Sequence, residues 1–222
     1  MSKLSHAHHV KAKLSKWLLS ERHLALTHRQ QSSESKMQHN RNHNPADVEI
    51  AYGKWARWLV ADEYTPYLLT LMFRPIDGSA VHRARVMSDE IERIYRMHLP
   101  WIVRHPRAAS SFGRLPIWIC SPDFPIFKHH RGTLADARVN DGEHSHCLAF
   151  VPLGSRLDGG LDAHFAEHQS RYIRPNYPLD RLDVIPITHD VDYVMGYSRK
   201  AIAHGVAGDD ATLILPRARS EM

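Results

Sequence analysis

Apolar and polar positions follow two different periods along the chain, and the switches between them outline its elements. Over residues 46–61, Ile50, Trp55, Trp58 and Leu59 recur at helical spacing and predict one buried face. Residues 67–73 (YLLTLMF) form a short apolar run between Pro66 and Arg74-Pro75, the pattern of a central strand. Asp77-Gly78-Ser79 then opens a long helix, with Val81, Ala84, Met87, Ile91, Ile94 and Tyr95 on its apolar stripe and Pro100 ending or kinking it. Residues 115–120 (LPIWIC) predict a strand, followed by a proline-containing turn and a further short strand at 126–127. Residues 144–153 (HSHCLAFVPL) form the clearest later strand. Leu161, Phe165, His168 and Tyr172 mark a helix over 161–173. Residues 179–188 are extended, and Pro186 assigns them to an edge or a bulge. A last helix over 190–204 has Asp190 as its N-cap and Gly205 just past its end.

This order predicts an α+β fold in which helices pack on one face of a mostly antiparallel central sheet, leaving the other face for a ligand. The chain reads as a basic arm over 1–44, one domain over 45–205 and a C-terminal tail over 206–222. Charge sharpens that division. The chain of 222 residues carries a formal net charge of +5. Residues 1–44 hold Lys3, Lys11, Lys13, Lys16, Arg22, Arg29, Lys36 and Arg41 against Glu21 and Glu34, so the basic excess belongs to the arm and not to the body. The arm's QQSSESKMQHNRNHN run is nearly devoid of apolar residues and reads as disordered or linker-like, apart from a short amphipathic helix over 14–26. Such an arm can hold phosphates or simply stay solvated. No apolar run approaches the ~20 residues of a membrane span, and the N-terminus lacks the apolar core of a secretory signal. Cys120 and Cys147, without CxxC spacing, suggest reduced thiols in a cytoplasmic protein. There is no GxxxxGK[ST] phosphate loop.

Two short stretches carry candidate chemistry. In the strand at 144–153, alternation sends His144 and His146 to one face together, spaced for two imidazoles on one metal ion, while Ser145, Cys147 and Ala149 face the helices. With 18 histidines in the chain, a chance HxH is also common. In YVMGYSRK, residues 193–200, Tyr193 and Tyr197 lie one above the other on a helix with Lys200 on the same side. Taken alone, the tyrosines read as core packing on an amphipathic helix, with Lys200 facing water. His129-His130-Arg131, His164 with His168, and His189 read as a solvated loop, a surface-to-core boundary and a helix-start residue.

Taken in order, the three pieces resemble the HUH endonuclease superfamily of rolling-circle replication initiators, relaxases and single-strand transposases. Leu68-Leu69-Thr70-Leu71-Met72-Phe73 matches its first motif, with Met72 in place of a threonine. His144-Ser145-His146 matches the second, with Ser145 in place of a hydrophobic residue. Tyr197-Ser198-Arg199-Lys200 matches the YxxK of the third, and Tyr193 takes the earlier tyrosine position of the two-tyrosine, phage-type form, Gly196 replacing a basic residue. The resemblance covers residues 65–204. It implies an RRM-like sheet and a cation, Mg²⁺ or Mn²⁺, on His144, His146 and a third polar ligand. For that ligand Asp136 is preferred over Asp141, His130 and Glu143, since alternation turns Glu143 to the wrong face. The resemblance further implies nicking and joining of single-stranded DNA through a 5′-phosphotyrosyl link made by Tyr197. Tyr193 would be a second nucleophile and Lys200 would stabilise charge. The phenol needs such help because its pKa near ~10 leaves it a poor nucleophile at neutral pH. The implied partners are an origin or hairpin strand and a separate helicase. The alternatives are a transposase or relaxase with the same chemistry, or a non-catalytic single-strand-binding protein on the same scaffold.

Overall fold

In the computed structural model, the described residues are 45–123, 143–205, 207–208 and 211–217. The arm over 1–44, the helix expected over 14–26 and the strand expected at 126–127 lie outside them. The elements below belong to the unit Asn44–Met222. Helix α1 is Pro45–Ala61 and strand β1 is Tyr64–Phe73. Helix α2, Ala80–Ile102, starts where expected: the Ser79 side chain accepts from the His82 backbone N–H, and the helix continues two residues past Pro100. Strand β2 is Ile117–Asp123, β3 is His144–Pro152, helix α3 is Gly160–Tyr172, and β4 is Leu179–Pro186. The last predicted helix is two, α4 (Val191–Ser198) and α5 (Lys200–Ala203), meeting at Arg199. Strand β5, Leu213–Leu215, falls in what the sequence pattern presents as a tail; only three residues long, it has too little periodicity to register.

The sheet order is β4-β1-β3-β2-β5, and each neighbouring pair is antiparallel. Helices α2 and α3 each connect two strands across one intervening strand, the split-βαβ arrangement. As Pro186 implies, β4 is an edge.

Period-two alternation divides the sheet cleanly. Leu69, Leu71, Phe73, Cys120, Cys147 and Ala149 face α2 and α3, where they join Met87, Ile94, Tyr95, Leu161 and Phe165 in the main core. The expectation that helices cover one face only is wrong. On the opposite face, Tyr64, Ile119, Leu148 and Phe150 form a second core with Ala56 and Leu59 of α1 and Met195 of α4. The reason is in the strands themselves: on that face they are apolar at one end and polar at the other, and the apolar end requires a cover. The predicted buried stripe of α1 is also rotated, because Ile50 and Trp58 are exposed while Ala56 and Leu59 are fully buried.

The two cysteines are not separate thiols. Cys120 and Cys147 are register partners across β2 and β3 and are joined as a disulfide within the main core. Their separation of 27 residues and lack of a CxxC motif concealed the pairing. No helix among the described residues is long and apolar enough to cross a membrane.

Between α2 and α3, three imidazoles pack in a row, tilted against one another, beside Trp101. The His98 and His164 rings lie 4.9 Å apart, those of His164 and His168 lie 4.8 Å apart, and the Tyr172 hydroxyl is 2.8 Å from His164 Nε2. Neither ring nitrogen of the fully buried His98 has a hydrogen-bond partner. Burial, reinforced by repulsion from His164, lowers the His98 pKa to about 3. Burial, then His168 and Arg171, lowers that of His164 to about 4. The unfolded chain takes up protons on both near pH ~6.5 and the folded chain does not. Their contribution to stability is therefore complete above pH ~6.5 and declines as the pH falls toward 4. The urea midpoint is expected to drop between pH 7 and pH 4.5, and His98→Phe should flatten that slope. A midpoint independent of pH over this range would refute the assignment.

Candidate functional site

The polar end of the second sheet face is built by register. Alternation in β3 turns His144 and His146 to that face and Ser145, Cys147 and Ala149 into the main core, as the sequence predicts. In β2, antiparallel to β3, Asp123 stands opposite His144 and Ser121 opposite His146. In β1, on the other side of β3, Thr70 stands opposite His146. Residues opposite one another share a face, so three strands contribute to one cluster.

Asp123 Oδ2 lies 3.0 Å from His144 Nε2 and 3.3 Å from His146 Nε2. One ligand atom from each of the three residues falls within 4.8 Å of the others, a group able to hold a metal ion. The imidazole rings are 4.9 Å apart and nearly perpendicular. Thr70 Oγ1 is 3.3 Å from His146 Nδ1, which fixes the ring with Nε2 directed at Asp123. His146 Nε2 is buried and has no hydrogen bond of good geometry, although it faces Asp123 Oδ2. A buried ring nitrogen left in this state beside a carboxylate is what a bound cation would satisfy. Burial alone would raise the Asp123 pKa, but its contacts with His144, His146 and Lys200 outweigh that and hold the carboxyl far below the usual carboxylate range.

Sequence reasoning passed over Asp123. Asp136, Asp141 and His130, its candidates for the third ligand, lie outside the described residues, and among the described residues Asp123 fills that position. The obstacle was Pro122, read as a turn although β2 runs through it. Pro122 is tolerated because β5 pairs only with Trp118–Cys120, so the ladder beside Pro122 has a partner on one side alone. The pairing that places Asp123 was itself hidden in the sequence: with Cys120 opposite Cys147, it falls opposite His144. Glu143 is turned away, as predicted, and forms an ion pair with Arg83 of α2.

Tyr197 and Lys200 reach the cluster from the ends of α4 and α5. The Tyr197 ring lies 5.0 Å from that of His146. Lys200 Nζ is 2.7 Å from Asp123 Oδ2 and 4.5 Å from the Tyr197 ring centre. Burial lowers the lysine pKa, but Asp123 and Tyr197 more than compensate, so its net shift is upward and the ammonium form is favoured. Tyr193 lies one turn earlier on α4 and is 70% exposed, with no ring contact to either histidine among the described residues. Asp190 caps α4 as expected, its side chain accepting from the Tyr193 backbone N–H at 3.0 Å.

The junction between α4 and α5 is held from behind. The Arg199 side chain is fully buried, with Nε donating to Glu49 Oε1 at 2.8 Å, Nη1 donating to Thr212 Oγ1 at 2.5 Å, and the guanidinium 3.9 Å from the centre of the Tyr52 ring. Its carbonyl accepts from the Ile202 and Ala203 N–H groups, starting α5. Tyr197 and Lys200 are thereby fixed on either side of an anchored residue. His189, read as a helix-start residue, is bonded to its neighbour Thr188. No family model, curated protein or solved structure matches this chain.

Proposed function

We propose that this chain nicks and rejoins single-stranded DNA, with Tyr197 as the nucleophile and a divalent cation, Mg²⁺ or Mn²⁺, held by Asp123, His144 and His146. The observation that carries the reading is the meeting of three chemistries at one point: a partly exposed phenol, an ammonium and a ligand group. The phenol rests against a ligand imidazole, and the ammonium contacts both the phenol and the carboxylate. A packing tyrosine would have no need of that company.

When bound, the cation would supply charge withdrawal from a phosphodiester oxygen. The phenolic oxygen of Tyr197 loses its proton to solvent and attacks phosphorus. The bond to the 3′ oxygen breaks, and that oxygen takes up a proton from solvent and leaves as a hydroxyl while the 5′ phosphate stays on the tyrosine. Lys200 offsets the negative charge that builds on phosphate and phenol. The link conserves the phosphodiester, so a 3′ hydroxyl can reverse the step without ATP. Tyr193, exposed one turn away, acts in a later exchange of the strand. The context is initiation of plasmid or phage replication with a separate helicase. A transposase or relaxase would use the same residues.

Tyr197→Phe is expected to reduce the covalent protein–DNA adduct below detection on denaturing gels with Mn²⁺ and single-stranded oligonucleotides, while oligonucleotide binding changes less than about threefold, because only one oxygen is removed. Normal adduct formation by this variant would exclude Tyr197 as the nucleophile. Tyr193→Phe should leave the first cut intact and slow repeated joining; full multiple-turnover joining would assign Tyr193 to packing or base stacking.

Asp123→Asn should weaken Mn²⁺ binding in calorimetry by about 100-fold, and Thr70→Val, which removes only the support of His146, by about tenfold. Unchanged affinity in both would show that the cluster is not the metal site.

A further inference from the structure

Asp123 Oδ2 is claimed twice. It belongs to the ligand group with His144 and His146, yet its shortest contact is the Lys200 ammonium at 2.7 Å. A divalent cation and an ammonium on one carboxylate oxygen repel each other, and this oxygen is too buried for water to screen them. The lysine, not the carboxylate, has somewhere to go: its side chain is 35% exposed against 3% for Asp123. A second station is already within reach, since Nζ lies 4.5 Å from the centre of the Tyr197 ring. The backbone at this point is not the moving part, because Arg199 is anchored by Glu49, Thr212 and Tyr52.

We propose that Lys200 occupies the cation's place on Asp123, and that a divalent cation entering the Asp123–His144–His146 group displaces the ammonium by side-chain rotation toward Tyr197. Loading of the cation then releases Lys200 from the carboxylate, and the ammonium, shared between Asp123 and Tyr197 before loading, is left to the phenol alone. The inference rests on the metal reading above and deepens it. No bond is made or broken. The lysine leaves as an ammonium, and one positive partner of Asp123 is exchanged for a more highly charged one. A monovalent ion, which carries no more charge than the lysine it must displace, does not drive the exchange.

The test is calorimetric titration of the full chain with Mn²⁺, paired with a crystal structure of the Mn²⁺-loaded protein. Lys200→Met keeps the length of the stem without the charge and is expected to bind Mn²⁺ about tenfold more tightly than the unsubstituted chain. Lys200→Gln provides the same comparison should the first variant fold poorly. In the loaded crystal, Nζ is expected beyond about 3.5 Å from Asp123 Oδ2, outside hydrogen-bond range, and against Tyr197. Equal or weaker affinity in both variants overturns the exchange while leaving the metal site standing. So does a loaded structure with Nζ still on Asp123, which would make tighter binding a matter of charge alone. If neither the chain nor its variants bind Mn²⁺, the metal reading itself falls and the exchange falls with it.

Discussion

The pairing of β2 with β3 is the constraint on which the rest of this protein depends. In this register Asp123 meets His144, Ser121 meets His146, Cys120 meets Cys147 and Trp118 meets Ala149. A slip of one residue would turn the whole of β2 over, sending Asp123 toward α2 and α3 and Trp118 toward α1 and α4. Both faces of this pair are buried, so neither alternative is tolerated. Trp118 fills the main core while Ile119, Leu148 and Phe150 fill the second. The ligand group is thus a by-product of apolar packing farther along the same strands. Polar residues at one end are aligned by hydrophobic residues at the other.

A second constraint is a buried charge. Removing the partner of a fully buried cation typically costs about 3–5 kcal/mol, because an uncompensated charge is left behind. Arg199 meets this demand with Glu49 and Tyr52 of α1 and with Thr212 beside β5. Exposed pairs such as Arg85 with Asp89 carry little such weight. Helix α1 therefore does more than cover the apolar end of the sheet. It holds the joint from which Tyr197 and Lys200 reach the histidines, although it lies outside the stretch whose motifs suggest any chemistry.

Within the cluster, burial and charge act against each other. Burial pushes the Asp123 pKa up, yet two imidazoles and an ammonium outweigh it and keep the carboxyl ionised. The lysine is likewise kept charged by the carboxylate it faces. Each group maintains the other in its charged state. By contrast, His98 and His164 between α2 and α3 form no ion pair with a carboxylate among the described residues, and burial holds them neutral. The same side chain serves two purposes in one fold, according to what faces it.

Local periodicity determined most of the elements. The run YLLTLMF, the alternation in HSHCLAFVPL, the Ser79 and Asp190 caps and the edge position of the strand ending at Pro186 were all readable residue by residue. So was the shared face of His144 and His146, because alternation is a property of one strand alone. What the sequence could not decide was which segments would meet. Thr70 supports His146 across 76 positions and Glu49 binds Arg199 across 150, and no local pattern records either contact. The third member of the ligand group, the disulfide, the second layer of helices and the role of α1 all follow from such meetings. They belong to the tertiary structure because a side chain's face is set by its own strand, whereas its partner is set by the strand that packs beside it.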